Sequence, residues 1–306
     1  DVLVVGGGVN GTGIAMDAAG RGLRVVLCEM NDLASATSSS SSKLIHGGLR
    51  YLEHYEFRLV REALGEREAL LRNAPHIMWP MRFRLPHQPH LRPAWMIRTG
   101  LFLYDHLAKR ELLPGSRSIT FGPDSPLKPD ISRGFEYSDG WVDDARLVVL
   151  SARKAAEKGA TVLTRTRCSR AERRNGQWHA TLDDHHRDKQ YNIRAKVVVN
   201  ATGPWVSSLF GESLSMPAPK QIRMVKGSHI VVPRLNQDTE AYILQNQDER
   251  IVFVIPYEDR FSLIGTTDVD YVGDPSQARI SPEETDYLLS IVNQYFRRQL
   301  SANDVV

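Results

Sequence analysis

Short apolar runs separated by turns open the chain in an order that is typical of an α/β protein. The run Leu3-Val4-Val5 predicts a buried strand, and Val25-Val26-Leu27-Cys28 predicts a second strand that ends at Glu29. Small residues at positions 12–19 predict a helix between them, and Gly20-Arg21-Gly22 ends it. This order of strand, helix and strand predicts a parallel βαβ unit.

The rest of the pattern alternates between helical and strand periods. Apolar residues at helical spacing predict helices at residues 54–72, 94–113, 145–158 and 282–299. Ser281 and Glu284 have the spacing of a capping box at the start of the last helix. Asn175-Gly176 favours a turn between antiparallel strands. Further strands are predicted at residues 81–85, 161–164, 197–199, 228–232, 241–244, 251–255 and 261–264. A βαβ module interrupted by an antiparallel sheet therefore predicts two interleaved domains.

The first turn carries candidate chemistry. Gly6, Gly8 and Gly11 form a GxGxxG sequence between the strand and the helix. Gly6 permits a tight turn, Gly8 lets a pyrophosphate approach the backbone, and Gly11 lets the helix pack close to the strand. The helix N-terminus offers N–H groups to phosphates, and Glu29 is placed to accept hydrogen bonds from a ribose. The alternative is a glycine-rich turn without a ligand, but the order of elements around it favours a dinucleotide site.

A serine-rich segment, residues 33–43, follows the second strand. Its composition is typical of a flexible linker. The sequence directly after it mixes apolar residues with Gly47-Gly48, His46 and Arg50, and so favours a segment that approaches a large polar ligand. The glycine motif does not separate NAD from FAD. A nicotinamide enzyme normally continues with further βα units, so this segment disfavours NAD.

Composition narrows the class of protein. Of 306 residues, 42% are hydrophobic and 25% charged, which is ordinary for a soluble globular protein with a sizeable core. The net charge of +3 gives no argument for nucleic-acid binding, and no metal site is expected. Only Cys28 and Cys168 occur, so we expect no disulfide framework and a reducing compartment. No signal peptide or apolar run of about 18 residues is present. Both ends adjoin apolar runs, so we expect a fragment of a longer protein.

Several segments together match the pattern of one family. They are residues 6–13, residues 41–52, Asn200-Ala201-Thr202-Gly203-Pro204-Trp205, Lys226-Gly227-Ser228-His229 and Ile264-Gly265-Thr266-Thr267-Asp268. On these residues the chain closely resembles the bacterial aerobic glycerol-3-phosphate dehydrogenases, a family of flavoproteins. The resemblance covers essentially the whole chain, and the run from Ser42 to Leu52 is its most specific part.

The resemblance implies FAD and an α/β fold of the D-amino-acid oxidase superfamily type. An FAD-binding Rossmann-like domain, residues 1–75 and 143–212, is then interleaved with a mixed or antiparallel-sheet domain that faces substrate and membrane, residues 76–142 and 213–300. The resemblance implies that the family pattern continues beyond residue 306 with further phosphate-binding Arg and Lys residues, a Gly-rich segment that closes over the flavin and a helical cap, and we expect these parts to lie outside this sequence.

The implied reaction is oxidation of sn-glycerol 3-phosphate to dihydroxyacetone phosphate. Hydride passes to flavin N5, and electrons pass to a membrane quinone at the inner face of the cytoplasmic membrane. A homodimer is compatible with this picture. The basic amphipathic pattern at residues 94–113 has two interpretations, a helix packed on the substrate domain or one lying in a membrane interface. The resemblance favours the membrane.

Substrate oxidation needs a cation for the phosphate and a base for the hydroxyl proton. Arg50 is the candidate cation, with Tyr51 hydrogen-bonding beside it, and both Arg50 and His229 are candidate catalytic residues. His229 is the candidate base, with His46 as its rival, and Thr266 is a further candidate substrate contact. The candidate cofactor-binding residues are Gly6, Gly8, Val9, Asn10, Gly11, Glu29, Thr37, Ser38, Ser41, Ser42, Lys43, His46, Ala201, Thr202, Gly203 and Trp205.

Four alternative functions are kept open. The first is an oxidase on the same scaffold that gives electrons to oxygen. The second is an amine or amino-acid oxidase of the same superfamily, which needs a site for a carboxylate and an amine. The third is a flavin-binding or membrane-docking fragment without catalysis. The fourth, an NAD dehydrogenase, is disfavoured by the serine-rich segment.

Overall fold

A computed structural model describes residues 1–89, 91–248 and 250–306. Contacts between Cα atoms divide the chain into two compact units. The first unit comprises Asp1–Ser41, Asp143–Met224 and Val272–Gln277. The second unit comprises Ser42–Val142, Val225–Tyr271 and Ala278–Val306.

Strands and helices are numbered separately along the chain. The strands are β1 (Val2–Val5), β2 (Val25–Cys28), β3 (Leu44–Ile45), β4 (Met78–Pro86), β5 (Arg117–Thr120), β6 (Arg133–Val142), β7 (Thr161–Leu163), β8 (Thr166–Arg174), β9 (Gln177–Asp184), β10 (Lys189–Ala195), β11 (Val197–Asn200), β12 (Val225–Lys226), β13 (His229–Pro233), β14 (Ala241–Gln245), β15 (Ile251–Tyr257), β16 (Phe261–Gly265) and β17 (Val269–Asp270). The α-helices are α1 (Val9–Gly20), α2 (Phe57–Asn73), α3 (Ala94–His106), α4 (Asp144–Glu157), α5 (Val206–Glu212) and α6 (Pro282–Tyr295). Short 3-10 helices lie at Thr37–Ser39, Leu49–His54, Gly203–Trp205, Pro275–Gln277 and Ala302–Asp304.

The first unit is built on a four-stranded parallel sheet in the order β11-β1-β2-β7. Alternation along β1 sends Val4 into a core with α1 and α4, and sends Leu3 and Val5 to the opposite face. That opposite face packs against α5 and the antiparallel sheet β10-β9-β8. The sheet is therefore covered on both sides, as its continuous apolar strands require.

The second unit is built on a mixed sheet in the order β13-β16-β15-β14-β4-β6-β3, with β5 paired to β6. Alternation along β14 sends Tyr242 and Leu244 into a core with α6, while Ala241 and Ile243 face a second core with α2 and α3. The helix α6 covers one face of the sheet, and α2 and α3 cover the other. Each of these helices therefore has one apolar side that packs on the sheet. The strands β12 and β17 pair separately in the same unit.

Most of the predicted elements are confirmed. The strand Val25–Cys28 has the predicted bounds, and the turn Asn175-Gly176 joins the antiparallel strands β8 and β9. Ser281 and Glu284 form the predicted capping box of α6. The long strand β6, by contrast, was not predicted. Its sequence, with Glu136 and Asp139 between aromatic residues, does not show a simple apolar period, although almost all of the strand is buried.

Three predicted helices are longer than those observed. The helix predicted at 94–113 ends at His106, and the chain then folds back so that Asp105 Oδ2 accepts hydrogen bonds from Ser116. The helix predicted at 282–299 ends at Tyr295, because Phe296 is extended and bridges Leu127. Part of the helix predicted at 54–72 is replaced by the 3-10 helix Leu49–His54 and a turn, so α2 begins at Phe57.

The units also differ in extent from the domains expected from the sequence. Residues 42–75, expected with the dinucleotide-binding domain, cluster with the second unit. The reason is that β3 pairs with β6, and α2 supplies Val60 and Leu64 to the core beside β4. Residues 213–224, expected with the substrate domain, cluster with the first unit, where Ser213 O accepts a hydrogen bond from Ala171 N.

Candidate cofactor and substrate site

The glycine turn of the first unit brings three backbone segments into close approach. Gly6 has a φ of +114°, and a Cβ on it would lie 2.4 Å from the carbonyl oxygen of Ala201. A Cβ on Gly11 would lie 1.9 Å from the carbonyl oxygen of Gly6. Since backbone cannot withdraw as a flexible side chain can, both positions require glycine. The end of β11 thus lies against the turn that precedes α1.

The N-terminus of α1 is exposed and is not capped by the side chain of its N-cap residue. The N-cap residue, Gly8, has no side chain to cap the helix, and the first turn of the helix holds no acidic residue. Val9 N donates to Ser38 Oγ at 3.0 Å. Val9 and Asn10 are exposed. Unpaired amides and the positive end of the helix dipole at such a terminus favour an anion.

Glu29 is fixed beside the same turn by two backbone groups. Its Oε2 accepts a hydrogen bond from Gly7 N at 2.7 Å, and its Oε1 accepts one from Asn31 N at 2.7 Å. Each carboxylate oxygen has a second lone pair, so Glu29 retains the capacity to accept hydrogen bonds from a ribose.

The segment that follows β11 holds four of the predicted residues. Ala201 N donates to Val5 O at 2.8 Å, and Thr202 Oγ1 donates to Asn200 Oδ1 at 2.8 Å. Gly203–Trp205 then forms a 3-10 helix. These bonds place Ala201 and Thr202 next to Gly6.

The serine-rich segment is an ordered part of the fold. Thr37–Ser39 forms a 3-10 helix that contacts α4, and Ser41 Oγ donates to Asp144 Oδ2 at 2.7 Å. The neighbouring Ser42 belongs to the second unit, where its Oγ lies 2.8 Å from His229 Nε2. The interpretation of this segment as a flexible linker is therefore wrong. The hydroxyls of Ser41 and Ser42 pair with groups far along the chain.

The second unit brings Ser42, His229 and Thr266 together. His229 stands opposite Gly265 in the pairing of β13 with β16, and Thr266 follows Gly265 directly. The His229 ring lies over that glycine, because a Cβ on Gly265 would be 2.2 Å from His229 Cδ2. Thr266 Oγ1 donates to Thr267 O at 3.1 Å.

Arg50 and Tyr51 lie on a different element, the 3-10 helix Leu49–His54, and both are exposed. The Arg50 side chain has no ion pair or hydrogen bond within residues 1–89, 91–248 and 250–306. Its guanidinium thus keeps all of its donors. The rival base His46 accepts a hydrogen bond from Gly48 N on Nδ1 at 3.1 Å. That bond leaves Nε2 as the nitrogen that carries the proton in the neutral ring, so this edge of His46 can donate a hydrogen bond.

A buried polar network that the sequence did not reveal supports this loop. Gly47 N donates to Tyr104 Oη at 2.8 Å, and Tyr104 Oη donates to Asp139 Oδ1 at 2.8 Å. Arg67 Nη1 lies 2.5 Å from the same Asp139 oxygen. Burial raises the pKa of Asp139, and the guanidinium of Arg67 opposes that rise. The network fixes Gly47, three residues before Arg50.

Together these features fit a dinucleotide cofactor. The glycine turn is free of side chains, the helix end is open, and an acid stands at the end of β2, which are the requirements of a pyrophosphate and ribose site. In the part of the chain that the structure describes, no group of three or more His, Cys, Asp or Glu side chains is placed to hold a metal. No helix in that part has both the length and the apolar character needed to span a membrane.

This fold and this turn define a dinucleotide-binding α/β protein, and comparison with known proteins identifies its family. The DAO family model, described as FAD dependent oxidoreductase, matches residues 1–306. The aerobic glycerol-3-phosphate dehydrogenase of Escherichia coli (strain K12) is 62% identical over 306 residues, which are 100% of this chain and 61% of the relative. The D-erythritol 1-phosphate dehydrogenase of Brucella abortus (strain 2308) is 53% identical over 309 residues, covering 100% of this chain and 62% of the relative.

A solved structure agrees with this assignment. The glycerol-3-phosphate dehydrogenase from Bacillus halodurans, complexed with FAD, is similar with a TM-score of 0.75 at 31% identity, covering 100% of this chain and 55% of that chain. The chain belongs to the FAD dependent oxidoreductase family, whose cofactor is FAD. It spans about 60% of the length of the curated relatives named above. The expected fold of the D-amino-acid oxidase type is confirmed.

Three glycine-to-alanine substitutions test the cofactor cradle. On Gly8 a methyl group meets only Ser38 Oγ, at 3.0 Å, whereas on Gly13 it meets nothing within 4 Å. We expect Gly8→Ala to fold normally but to weaken FAD binding about tenfold or more, equivalent to about 1.4 kcal/mol. Gly11→Ala should lose both FAD and thermal stability, while the control Gly13→Ala should keep both. Flavin absorbance and melting temperature measure the two effects. Equal FAD retention by the Gly8 and Gly13 variants would contradict a pyrophosphate close to Gly8.

Proposed function

We propose that the protein oxidises sn-glycerol 3-phosphate to dihydroxyacetone phosphate with FAD and passes the electrons to a membrane quinone. The observation that carries this proposal is the 62% identity, over all 306 residues, to the aerobic glycerol-3-phosphate dehydrogenase of Escherichia coli. The 53% identity to a D-erythritol 1-phosphate dehydrogenase supports the same substrate class, a phosphorylated polyol.

The chemistry of the second unit supports this class of substrate. Arg50 is an exposed guanidinium without an ion-pair partner among the described residues, which suits it to bind the substrate phosphate through paired hydrogen bonds. Tyr51, beside it on the same 3-10 helix, adds a phenol donor. The buried network around Asp139 fixes Gly47, at the start of this loop. The backbone that carries Arg50 is therefore held in place.

His229 is the proposed base for the substrate hydroxyl. Its Nε2 lies 2.8 Å from Ser42 Oγ, which fixes the ring orientation, and the ring is further confined by its position over Gly265. An imidazole has the proton affinity needed for this transfer near neutral pH. Thr266, next along the chain from Gly265, is the proposed further contact to substrate. FAD, when bound, accepts the hydride equivalent.

The proposed location is the inner face of the cytoplasmic membrane, with docking through the exposed face of α3. Leu101 and Tyr104 bury one face of this helix in the second unit, while Trp95 and Phe102 are 68% and 52% exposed. Large aromatic side chains on an exposed helix are typical of proteins that insert shallowly into a lipid interface. Assembly as a homodimer belongs to the same proposal and is tested by analytical ultracentrifugation.

Anaerobic titration of the FAD-loaded protein tests the proposed reaction. We expect glycerol 3-phosphate to bleach the flavin bands, and reoxidation by a soluble quinone to be much faster than by oxygen. Stronger bleaching by D-erythritol 1-phosphate would show that the preferred substrate is the four-carbon polyol phosphate. Rapid peroxide release in air would make the protein an oxidase. An unreduced flavin with both substrates would contradict the proposal.

Kinetic variants test the two proposed roles separately. Arg50→Ala should raise KM strongly and lower kcat less, because the phosphate is bound in ground and transition states alike. His229→Ala should lower kcat by about 100-fold or more and leave KM nearly unchanged. The controls are Arg61→Ala and His76→Ala, which remove an exposed arginine and an exposed histidine. An unaltered KM in the Arg50 variant, or an unaltered pH–rate profile in the His229 variant, would refute the corresponding role.

Vesicle flotation tests the docking face. With vesicles of phosphatidylethanolamine and phosphatidylglycerol, we expect the double variant Trp95→Glu, Phe102→Glu to lose most of its bound fraction, since two charges oppose insertion. The control is Val149→Glu on α4, where an exposed apolar residue of the first unit gains the same charge. Equal flotation of the double variant and the wild-type protein would exclude this face.

A further inference from the structure

Glu284 makes contacts that its capping box does not require. In that box, Ser281 Oγ accepts a hydrogen bond from Glu284 N, and Glu284 Oε2 accepts one from Ser281 N at 2.8 Å. These bonds complete the N-terminus of α6. The second carboxylate oxygen, Oε1, has no part in them.

Glu284 Oε1 instead joins two segments of the second unit. Ser228 Oγ donates to it at 2.9 Å and Thr267 Oγ1 donates to it at 2.7 Å. The two segments also bind each other, because Ser228 N donates to Thr267 Oγ1 at 2.8 Å and Thr267 N donates to Ser228 O. Glu284, Ser228 and Thr267 are all buried.

A cation completes this arrangement. Lys226 Nζ lies 2.6 Å from Glu284 Oε2 and also donates to Arg279 O. Burial by itself raises the pKa of Glu284, but Lys226, the Ser281 amide and the two hydroxyls outweigh it and lower the pKa to about 2. The carboxylate is therefore charged at neutral pH and accepts every one of these hydrogen bonds.

The two residues held by Oε1 are the immediate neighbours of the proposed site. Ser228 precedes His229, and Thr267 follows Thr266. Resting on the proposed function, we propose that Glu284 is a positioning residue that fixes the spacing of His229 and Thr266 through Ser228 and Thr267. It acts on the proposed site through one oxygen atom, Oε1, that is shared by the two chain segments.

The alternative is that Glu284 serves only to cap α6. The two roles use different atoms, so they are separable by substitution. Thr267→Val removes a hydroxyl that donates to Oε1 and also accepts from Ser228 N, whereas Ser228→Ala removes only a hydroxyl that donates to Oε1; both leave the capping box complete. Ser281→Ala removes the capping acceptor and leaves both bonds to Oε1. Glu283→Gln removes a charge from the same helical turn at an exposed position.

The test measures anaerobic flavin reduction by glycerol 3-phosphate in the FAD-loaded protein. We expect Thr267→Val, Ser228→Ala and Glu284→Ala to lower the limiting reduction rate about 10- to 100-fold, as misplacement by about 1 Å can. The substrate dissociation constant should change much less, since Arg50 is untouched. Thr267→Ser should restore the rate, because it restores the hydroxyl. The Ser281 and Glu283 variants should react like the wild-type protein.

A second readout does not depend on turnover. We expect the ring-nitrogen NMR signals of His229, assigned with His229→Gln, to shift in Thr267→Val and to stay in place in Ser281→Ala. If Glu284→Ala does not fold, Thr267→Val and its serine rescue decide the question. Wild-type rate and wild-type His229 signals in Thr267→Val would overturn the inference, as would equal losses in the Thr267 and Ser281 variants.

A failure of the positioning role can be distinguished from a failure of the proposed function. If glycerol 3-phosphate does not reduce the wild-type flavin, the proposed function fails, and the His229 signals alone then test the positioning role. If the wild-type flavin is reduced and the Thr267 variant behaves normally, the function stands and the positioning role fails.

Discussion

The first unit depends on backbone segments that approach each other too closely for side chains. Because β11, β1 and β2 are parallel and in register, Asn200, Val5 and Cys28 end at the same edge of the sheet. Gly6 and Gly11 let the next turn of chain cross that edge without a clash. The open helix end, the Glu29 carboxylate and the segment after β11 are consequently gathered at one place, where a large polar cofactor has access to backbone donors.

In the second unit the candidate residues lie on separate elements, and each element adjoins a short loop: Arg50 is on a 3-10 helix, His229 begins β13, and Thr266 follows β16. Each loop is fastened by a buried carboxylate from a distant element: Asp139 on β6 binds Gly47, and Glu284 on α6 binds Ser228 and Thr267. A buried carboxylate is costly unless its lone pairs are filled by donors. Arg67 and Lys226 supply the opposite charges, so both carboxylates are paired as well as hydrogen-bonded.

The sequence predicted the features that are local. The glycine turn, the capping box and the Asn175-Gly176 turn each depend on a few adjacent residues, and the structure has all three. The pairing of Ser42 with His229 spans 187 residues, so no local pattern announces it. The helix that begins at Ala94 was predicted too long, because apolar residues continue after His106 although the chain there folds back and Ser116 bonds to Asp105. The buried network that holds Gly47 was not predicted either. In the sequence, the adjacent glycines Gly47 and Gly48 mark the place but do not identify the residues that bind there.

The close packing of His229 over Gly265 makes the residue at position 265 an indicator of how the histidine ring is held. Any side chain at residue 265 begins with a Cβ, and that atom would overlap a ring whose Nε2 is already held by Ser42. The choice of amino acid on β16 is thus dictated by the orientation of an imidazole on β13. A family member with a larger residue at the position of Gly265 must hold this histidine in another way or do without it. The residue at position 265 can be read from a sequence alone. It therefore distinguishes relatives that can hold the histidine ring in this way from those that cannot.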